Sequence, residues 1–401
     1  MAACDSKTGG VMASYKISAF VSVTLSAVAV SVIMPILAPI ARVVGLTEIQ
    51  VGIIVSVGSA VMAVAGAMWG RLSDRIGRQP IMAAGFAGVG VTYIVYTWLT
   101  WLGMTGALTA GALFLSLVAS RAAIGVFLPA VPAAAQALVA DNTTEEERST
   151  GMALIGAANG LGMVIGPVMG GGLAIIGLIW PLFATVVVSL LALVFVLLWV
   201  PRSRPVPRIA DSTLSARALW RWLLAAFVVF GAIITMQVVA GFYIQDSLGL
   251  TEAETAPVLA GALFCVGLAM ILMQIVQIKW LKWAPRPLMI SGAALWIAGF
   301  VCLLATATEP LYYLSYAVLG VGNGLLFPGV IAGASLNAGA DHQGGVAGLI
   351  AAAQGSAAII TPLGSTVLYH AQPEWPFYAA GAGMVVLILL FLPPSSAALT
   401  R

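Results

Sequence analysis

The guanidinium of Arg121 is the most unusual chemical group in this sequence, because it lies within the long apolar segment 107–134. An arginine at the centre of a bilayer costs at least about 2.5–3.5 kcal/mol on insertion scales, so it needs a polar partner. All 14 Asp and Glu residues fall in loops, in tails or at the ends of the apolar segments. We expect Arg121 to use backbone carbonyls, amides, water or an anionic substrate. It acts either in proton coupling or substrate binding, or as a tether between helices.

Polar side chains are scarce in the apolar segments, and methionines and aromatic residues accompany them. Methionine and aromatic side chains make an adaptable apolar pocket, and scattered amides fix the orientation of a ligand. The alternative for each polar residue is a hydrogen bond between helices, and for each methionine a place in packing. The residues predicted to contact a substrate are Met34, Ser59, Asn159, Met163, Gln237, Phe264, Gln274, Tyr316, Asn323, Phe327 and Gln354.

Other chemistry finds little support in the sequence. The three cysteines, Cys4, Cys265 and Cys302, share no close spacing, and the histidines His342 and His370 fall in predicted loops. These patterns indicate no disulfide framework, metal site or cofactor. Without paired acids in the apolar segments, or a glycine-rich phosphate loop after a strand, we expect no enzyme activity.

Transmembrane helices must position these residues. Apolar residues make up 61% of the 401 positions and charged residues 8%, against about 45–50% and 25% in soluble domains. This composition excludes a soluble enzyme and a disordered chain, and the net charge of +3 gives no reason to expect nucleic-acid binding. Because one span takes about 20 residues, we predict an all-α membrane protein with twelve transmembrane helices. The predicted spans are 17–40, 48–69, 81–101, 107–134, 149–175, 180–200, 218–242, 253–278, 287–307, 311–333, 345–367 and 377–394.

Basic residues predict the orientation in the membrane. With the N-terminus inside, 15 of the 17 Lys and Arg residues fall on the cytoplasmic side, Arg42 falls outside, and Arg121 lies within a span. The positive-inside rule therefore places both termini in the cytoplasm of a cell (inner) membrane. The predicted parts are a cytoplasmic tail 1–16, a six-helix bundle 17–200, a cytoplasmic linker 201–217, a second six-helix bundle 218–394 and a cytoplasmic tail 395–401.

The two halves repeat short sequences at a nearly constant offset. The clearest pair is Gly45-Leu46-Thr47-Glu48 and Gly249-Leu250-Thr251-Glu252, which are 204 residues apart. Further matches begin at Arg78 and Pro285, and at Gly125 and Gly324. Both copies start on the same side, so the repeat is parallel. Two similar bundles that rock about a central cavity are typical of a transporter.

The connection between spans two and three carries a more specific pattern, Gly70-Arg71-Leu72-Ser73-Asp74-Arg75-Ile76-Gly77-Arg78-Gln79-Pro80. Its glycines would permit a tight turn, and Asp74 can pair with a nearby arginine. The pattern resembles the signature loop of the major facilitator superfamily, and the segment from Asp141 to Arg148 is similar to a second family pattern. The resemblance implies a cytoplasmic gate, with an inert positive-inside anchor as the alternative. The implied gating residues are Gly70, Asp74, Arg75, Gly77, Arg78, Asp141 and Arg148.

Two further motifs refine the resemblance. Arg121 and Gly125 match the family's R-x-x-x-G element, and span five resembles the antiporter motif of the twelve-span drug:proton antiporters. Small residues let this helix pack closely on a neighbour and the proline bends it, so a generic packing seam is the alternative. Ala153 stands where the family has a further glycine. The antiporter motif comprises Gly162, Gly166, Pro167, Gly170 and Gly171.

These features lead to a functional hypothesis. We expect a monomeric transporter in the lipid bilayer that exports a small organic molecule in exchange for protons. The lack of an acid in the spans argues against a purely cation-selective pump. A neutral, zwitterionic or anionic compound, such as an amphipathic drug or a siderophore, suits Arg121 better. The alternatives are an importer or facilitator of a small metabolite, and a membrane-embedded sensor or enzyme.

Overall fold

The computed structural model describes residues 2–143, 145–202, 216–305, 308–338 and 343–392, and all regular secondary structure in these ranges is helical. The first part of the chain forms eight α-helices. They are α1 (Ala2–Ser31), α2 (Leu37–Val43), α3 (Glu48–Ile76), α4 (Arg78–Met104), α5 (Ala110–Phe127), α6 (Ala130–Asp141), α7 (Glu145–Ala174) and α8 (Trp180–Trp199).

Six more α-helices follow in the described residues. They are α9 (Ala216–Leu248), α10 (Glu252–Val276), α11 (Pro285–Leu304), α12 (Glu309–Ala338), α13 (Gln343–Ala371) and α14 (Trp375–Phe391). A π-helical turn, Gln277–Leu281, extends α10.

Eleven segments of the described residues are long and apolar enough to cross a membrane, and α14, with 17 residues, is a shorter apolar helix. These twelve correspond in order to the twelve predicted spans, so the prediction of an all-α membrane protein is confirmed. Large apolar side chains such as Trp98, Leu115 and Leu198 are exposed, as expected for helices that face lipid.

Prolines break two of the spans. The first, Tyr15–Val43, changes at a 3₁₀ turn, Met34–Ile36, and the fourth, Ala110–Asp141, changes from α5 to α6 at Pro129. Proline has no N–H to donate and its ring clashes with the preceding turn, so the helix bends there. The fourth span continues through α6 to Asp141, beyond its predicted end at residue 134.

Helix α1 begins at Ala2, so the residues predicted as an N-terminal tail continue into the first span as one helix. Most of the predicted linker 201–217 and all of the predicted tail 395–401 lie outside the described residues.

The chain divides into two compact units. The first comprises Met1–Ala210 and Ile244–Ala260, and the second comprises Asp211–Tyr243 and Gly261–Arg401. In the first unit, α1, α4, α6 and α8 share a core that includes Ala19, Met82 and Val196. In the second unit, α11 packs on α14, where the rings of Phe300 and Phe377 are 6.0 Å apart.

The repeated Gly-Leu-Thr-Glu sequence forms the same turn twice, and both turns lie in the first unit. The first glycine has a positive φ in each copy, +71° at Gly45 and +64° at Gly249. Thr47 and Thr251 then begin α3 and α10, each in reciprocal hydrogen bonds with the residue three positions later. This capping box satisfies backbone N–H groups that a helix start leaves free. The two copies of the repeat thus share backbone structure as well as sequence.

Candidate functional site

Arg121 lies in α5 and is half-buried, and its guanidinium contacts two neighbouring helices. Its Nη1 donates to the hydroxyl oxygen of Tyr93 on α4 at 3.3 Å. On α3, Gly58 lies directly against the Arg121 side chain. A Cβ at residue 58 would be only 2.8 Å from Cγ of Arg121 and 3.2 Å from its Nε. The arginine therefore runs along a groove that exists because residue 58 has no side chain.

The partner of Arg121 is neutral. Tyr93 is 1% exposed, and its ring packs edge-on against Tyr96 at 6.0 Å. Among the described residues, no carboxylate lies within ion-pair distance of Arg121. A guanidinium has five N–H donors, and one phenol oxygen satisfies one of them. The site thus keeps a positive charge that an anionic ligand group can neutralise.

A second cluster surrounds Arg78, which is the first residue of α4 and is 1% exposed. Its Nη1 donates to Oδ1 of Asp74 at 2.6 Å and to Oγ of Ser73 at 2.9 Å, both on α3. Its Nε donates to Oδ2 of Asp141, the last residue of α6, at 2.8 Å. One arginine therefore joins three helices of the first unit through charge-assisted hydrogen bonds.

The remaining predicted gating residues lie around or outside this cluster. Gly77 has a φ of +99° and forms the sharp turn between α3 and α4, as the sequence predicts. The prediction of a turn at Gly70 is wrong, since this residue lies inside α3 with open space around it. Arg75 is exposed and takes no part in the cluster. Arg148 falls in α7, but its side chain lies outside the described residues.

The two aspartates of this cluster differ in burial, which gives a matched test of the ion pairs. The side chain of Asp141 is 7% exposed and that of Asp74 is 37% exposed. Breaking a buried pair costs about 3–5 kcal/mol, whereas an exposed pair contributes about 0–1 kcal/mol. We expect Asp141→Asn to lower the thermal unfolding temperature in detergent clearly, and Asp74→Asn to leave it almost unchanged. Equal shifts in the two variants would contradict this assignment.

The antiporter motif lies on α7, and three of its glycines pack against α1. A Cβ on Gly162 would be 2.6 Å from the carbonyl oxygen of Thr24, and Cβ atoms on Gly166 and Gly170 would collide with Ser31 and Val32. The two helices are also joined by the Ser31 hydroxyl, which donates to the Gly162 carbonyl at 2.9 Å. Such contact of two backbones requires small residues.

The fourth glycine of the motif faces a different helix. A Cβ on Gly171 would meet the side chain of Ala260 and lie 3.2 Å from the carbonyl oxygen of Ala256, both on α10. Pro167 is buried inside α7. The paired glycines at 170 and 171 thus let α7 approach α1 and α10 together. In this geometry the motif forms a packing seam with two faces.

Gly172 provides a control for this seam, because open space surrounds it on the same helix. A Cβ added at Gly170 would collide with the backbone of Val32, which cannot rotate away. Overpacking of this kind costs about 1–3 kcal/mol. We expect Gly170→Ala to lower the unfolding temperature and the transport rate, and Gly172→Ala to preserve both. If the two variants behave alike in thermal melting and transport assays, close packing at Gly170 is not required.

The predicted substrate contacts in the first unit differ in solvent exposure. Met34 lies in the 3₁₀ turn of the first span and is half-buried, as are Ser59 on α3 and Met163 on α7. Asn159, also on α7, is exposed. These four residues stay candidates for substrate contact.

In the second unit, the predicted contacts fall into three groups. Phe327 and Gln354 line one small cavity between α9, α12 and α13, together with Phe230 and other apolar residues. Tyr316 and Asn323, on α12, are buried instead of open to a pocket. The other three predicted contacts are Gln237, which is half-buried on α9, and Phe264 and Gln274 on α10.

Some functional candidates carry no signal in the sequence. Tyr93 and Gly58 have no distinguishing pattern, since a tyrosine or a glycine in an apolar segment is ordinary. Ser73 lies within the signature loop, but its role becomes visible only with the hydrogen bond from Arg78.

Sequence comparison connects this chain to transport proteins. The family model for the Major Facilitator Superfamily matches residues 19–362 and 267–400. The tetracycline resistance protein of class C from Escherichia coli is 28% identical over 397 residues, which cover 93% of this chain and 94% of that protein. The class G protein from Vibrio anguillarum is also 28% identical, over 95% of this chain and 97% of its own length.

Solved structures show the same fold at lower identity. The human organic anion transporter MFSD10 (TETRAN) aligns with a TM-score of 0.67 at 17% identity, covering 95% of this chain and 99% of that one. A D-xylose-proton symporter aligns with a TM-score of 0.73 at 15% identity, covering 96% and 98%.

Proposed function

This chain belongs to the major facilitator superfamily, and we propose that it exports an amphipathic organic compound, neutral, zwitterionic or anionic, in exchange for protons. The family makes it a multi-pass membrane transporter of a small molecule and not an enzyme. The direction of transport, the substrate class and the proton coupling are the proposed part. The proposal also includes cytoplasmic termini, an inner-membrane location and a monomeric state.

Full-length similarity to tetracycline resistance proteins carries the proposal of drug export. Three such proteins match at 23–28% identity over more than nine tenths of both chains. The antiporter motif on α7 is consistent with this direction. The solved structures include a proton symporter, but similarity at such low identity bears on the fold alone.

Arg121 supports the choice of substrate class. Its charge faces a phenol instead of a carboxylate, so an acidic or enolic group of a substrate can take the remaining N–H donors. A lipophilic cation would be repelled by the same charge, and the described spans offer no acid at their centre to bind it. We propose Arg121 as the group that binds the negative end of the substrate, and Tyr93 as the residue that positions its guanidinium.

The Arg78 cluster is proposed as part of the cytoplasmic gate. It holds α3, α4 and α6 together at the ends that the positive-inside rule places in the cytoplasm. Because this cluster joins the helix ends rigidly, the first unit would move as one body during alternating access.

Tetracycline is the first compound to test, with purified protein in proteoliposomes. We expect Arg121→Ala to abolish its transport at normal expression. We expect Tyr93→Phe to raise the KM roughly tenfold, because it removes a hydrogen bond to a charged group worth about 1.5 kcal/mol while kcat changes less. Arg221→Ala, which removes an exposed arginine on α9, serves as the matched control. Normal transport by the Arg121 variant would exclude this arginine from substrate binding and coupling.

Proton exchange can be measured separately in inverted membrane vesicles with an acidified lumen. If entry of tetracycline into the lumen is coupled to proton exit, a pH-sensitive dye should report alkalinisation on its addition. Vesicles that lack the protein should show no change. Tetracycline accumulation without any alkalinisation would leave export in place and refute proton coupling.

A further inference from the structure

Basic and aromatic side chains lie together in the α10–α11 turn of the second unit, residues 277–286. Trp280 is 72% exposed and Trp283 is 40% exposed. The exposed basic residues of this turn are Lys279, Lys282 and Arg286. Exposed tryptophans beside basic residues are typical of segments at the headgroup level of a membrane, where the rings meet apolar groups and the charges stay in water. The α10–α11 turn therefore has the composition of a membrane-surface contact.

Gln277 fixes the shape of the α10–α11 turn. This residue begins the π-helical extension of α10 and is 9% exposed. Its backbone carbonyl accepts the N–H of Lys282 at 2.8 Å, and its side-chain Nε2 donates to the Trp283 carbonyl at 3.2 Å. Both hydrogen bonds bring the chain back to one buried residue, so the residues between them are held on the surface, where Lys279 and Trp280 are exposed.

Lys282 has a backbone conformation that a lysine rarely adopts. Its φ is +47° and its ψ is +37°, and no other non-glycine residue of the described chain has a positive φ. Glycine is the usual residue at such a helix end, because it has no Cβ to clash with the backbone. Strain that persists in a folded protein is found most often at functional sites. A lysine where glycine fits better thus indicates that its side chain has a role there.

The matching turn of the first half contains an acid that the α10–α11 turn lacks. When Pro285 is aligned with Arg78, as in the repeat, Leu281 stands at the position of Asp74. The first half thus neutralises its basic turn with its own carboxylate. In the second half, the sequence has no Asp or Glu between Glu254, in the first turn of α10, and Glu309, which begins α12.

The Arg42 cluster shows a cation that is already neutralised by the protein. Nη2 of Arg42, in the last turn of α2, is 2.9 Å from Oδ2 of Asp246, its equivalent in the second Gly-Leu-Thr-Glu turn, and 3.0 Å from Oε1 of Glu48. By contrast, no carboxylate of the described residues lies within ion-pair distance of the three basic side chains of the α10–α11 turn. Their charge is therefore available to an anion from outside the chain.

We propose that the α10–α11 turn binds the headgroup of an anionic phospholipid. Its three basic side chains attract the phosphate, since each Lys or Arg near an anionic membrane surface adds to binding, and Trp280 packs against the apolar part of the lipid. The positive end of the α11 dipole, at Pro285, favours the same negative charge. This site is independent of the compound that the protein exports and of proton coupling.

Lipid binding can be measured by native mass spectrometry of the purified full-length protein in a neutral detergent, titrated with phosphatidylglycerol or phosphatidylcholine. We expect the parent protein to prefer phosphatidylglycerol. We expect Lys282→Gly to weaken this binding about fivefold, as for the loss of one basic residue at an anionic surface. Because glycine relieves the left-handed backbone, this variant should unfold at the same temperature as the parent or a higher one, so that weaker binding does not come from a damaged turn.

Lys279→Gln repeats the test without touching the strained residue, and it should weaken phosphatidylglycerol binding to a similar extent. The matched control is Arg71→Gln, which removes an exposed basic residue of α3 and should leave the binding unchanged. Inorganic phosphate at the same concentration should not displace the lipid, because it has no apolar part to meet Trp280. Equal binding of the two lipids, an equal loss in Arg71→Gln, or displacement by phosphate would overturn the proposed site. These measurements use no transport substrate, so a failure of tetracycline export would not affect them.

Discussion

A guanidinium cannot give up its proton at any accessible pH, so the charge of Arg121 must be solvated wherever the chain places it. Within the hydrocarbon core of the membrane, this charge can be solvated only by fixed protein groups, cavity water or a ligand. The structure supplies a phenol from α4 and a groove along Gly58 of α3. The approach of these helices to α5 is therefore tied to one side chain, and with no carboxylate beside it among the described residues, N–H donors of the guanidinium are left for another acceptor.

Close helix packing in this protein depends on glycines, which place no side chain between neighbouring helices. Association of helices within lipid gains little from the hydrophobic effect, so close van der Waals contact and hydrogen bonds between helices must replace it. Gly162, Gly166 and Gly170 give α7 this contact with α1, and Gly125 brings α5 against the backbone of Gly58. The same contacts that stabilise the first unit hold Arg121 against α3. Gly58 thus serves both the packing of α5 on α3 and the candidate site.

The sequence could predict the spans and the signature loop because each depends on local composition or on residues close in sequence. Asp74 and Arg78 are one helical turn apart, so their pairing was foreseeable. Asp141 lies 63 residues from Arg78 and Tyr93 lies 28 from Arg121, and no periodicity connects either pair. The prediction of a turn at Gly70 is wrong because a glycine near a turn and a glycine inside a helix look alike in sequence.

The repeat shows how a symmetric backbone can carry asymmetric charges. Identical charges at equivalent positions of two matching turns would repel each other on contact, whereas Arg42 and Asp246 attract. The turns keep their positive-φ glycines and capping threonines, so the geometry of the contact is preserved while its sign is set by two side chains. An exposed attraction is individually weak, whereas breaking a buried one, such as that of Arg78 and Asp141, is costly. The difference in solvent exposure, more than the choice of residues, therefore decides how much each cluster contributes to stability.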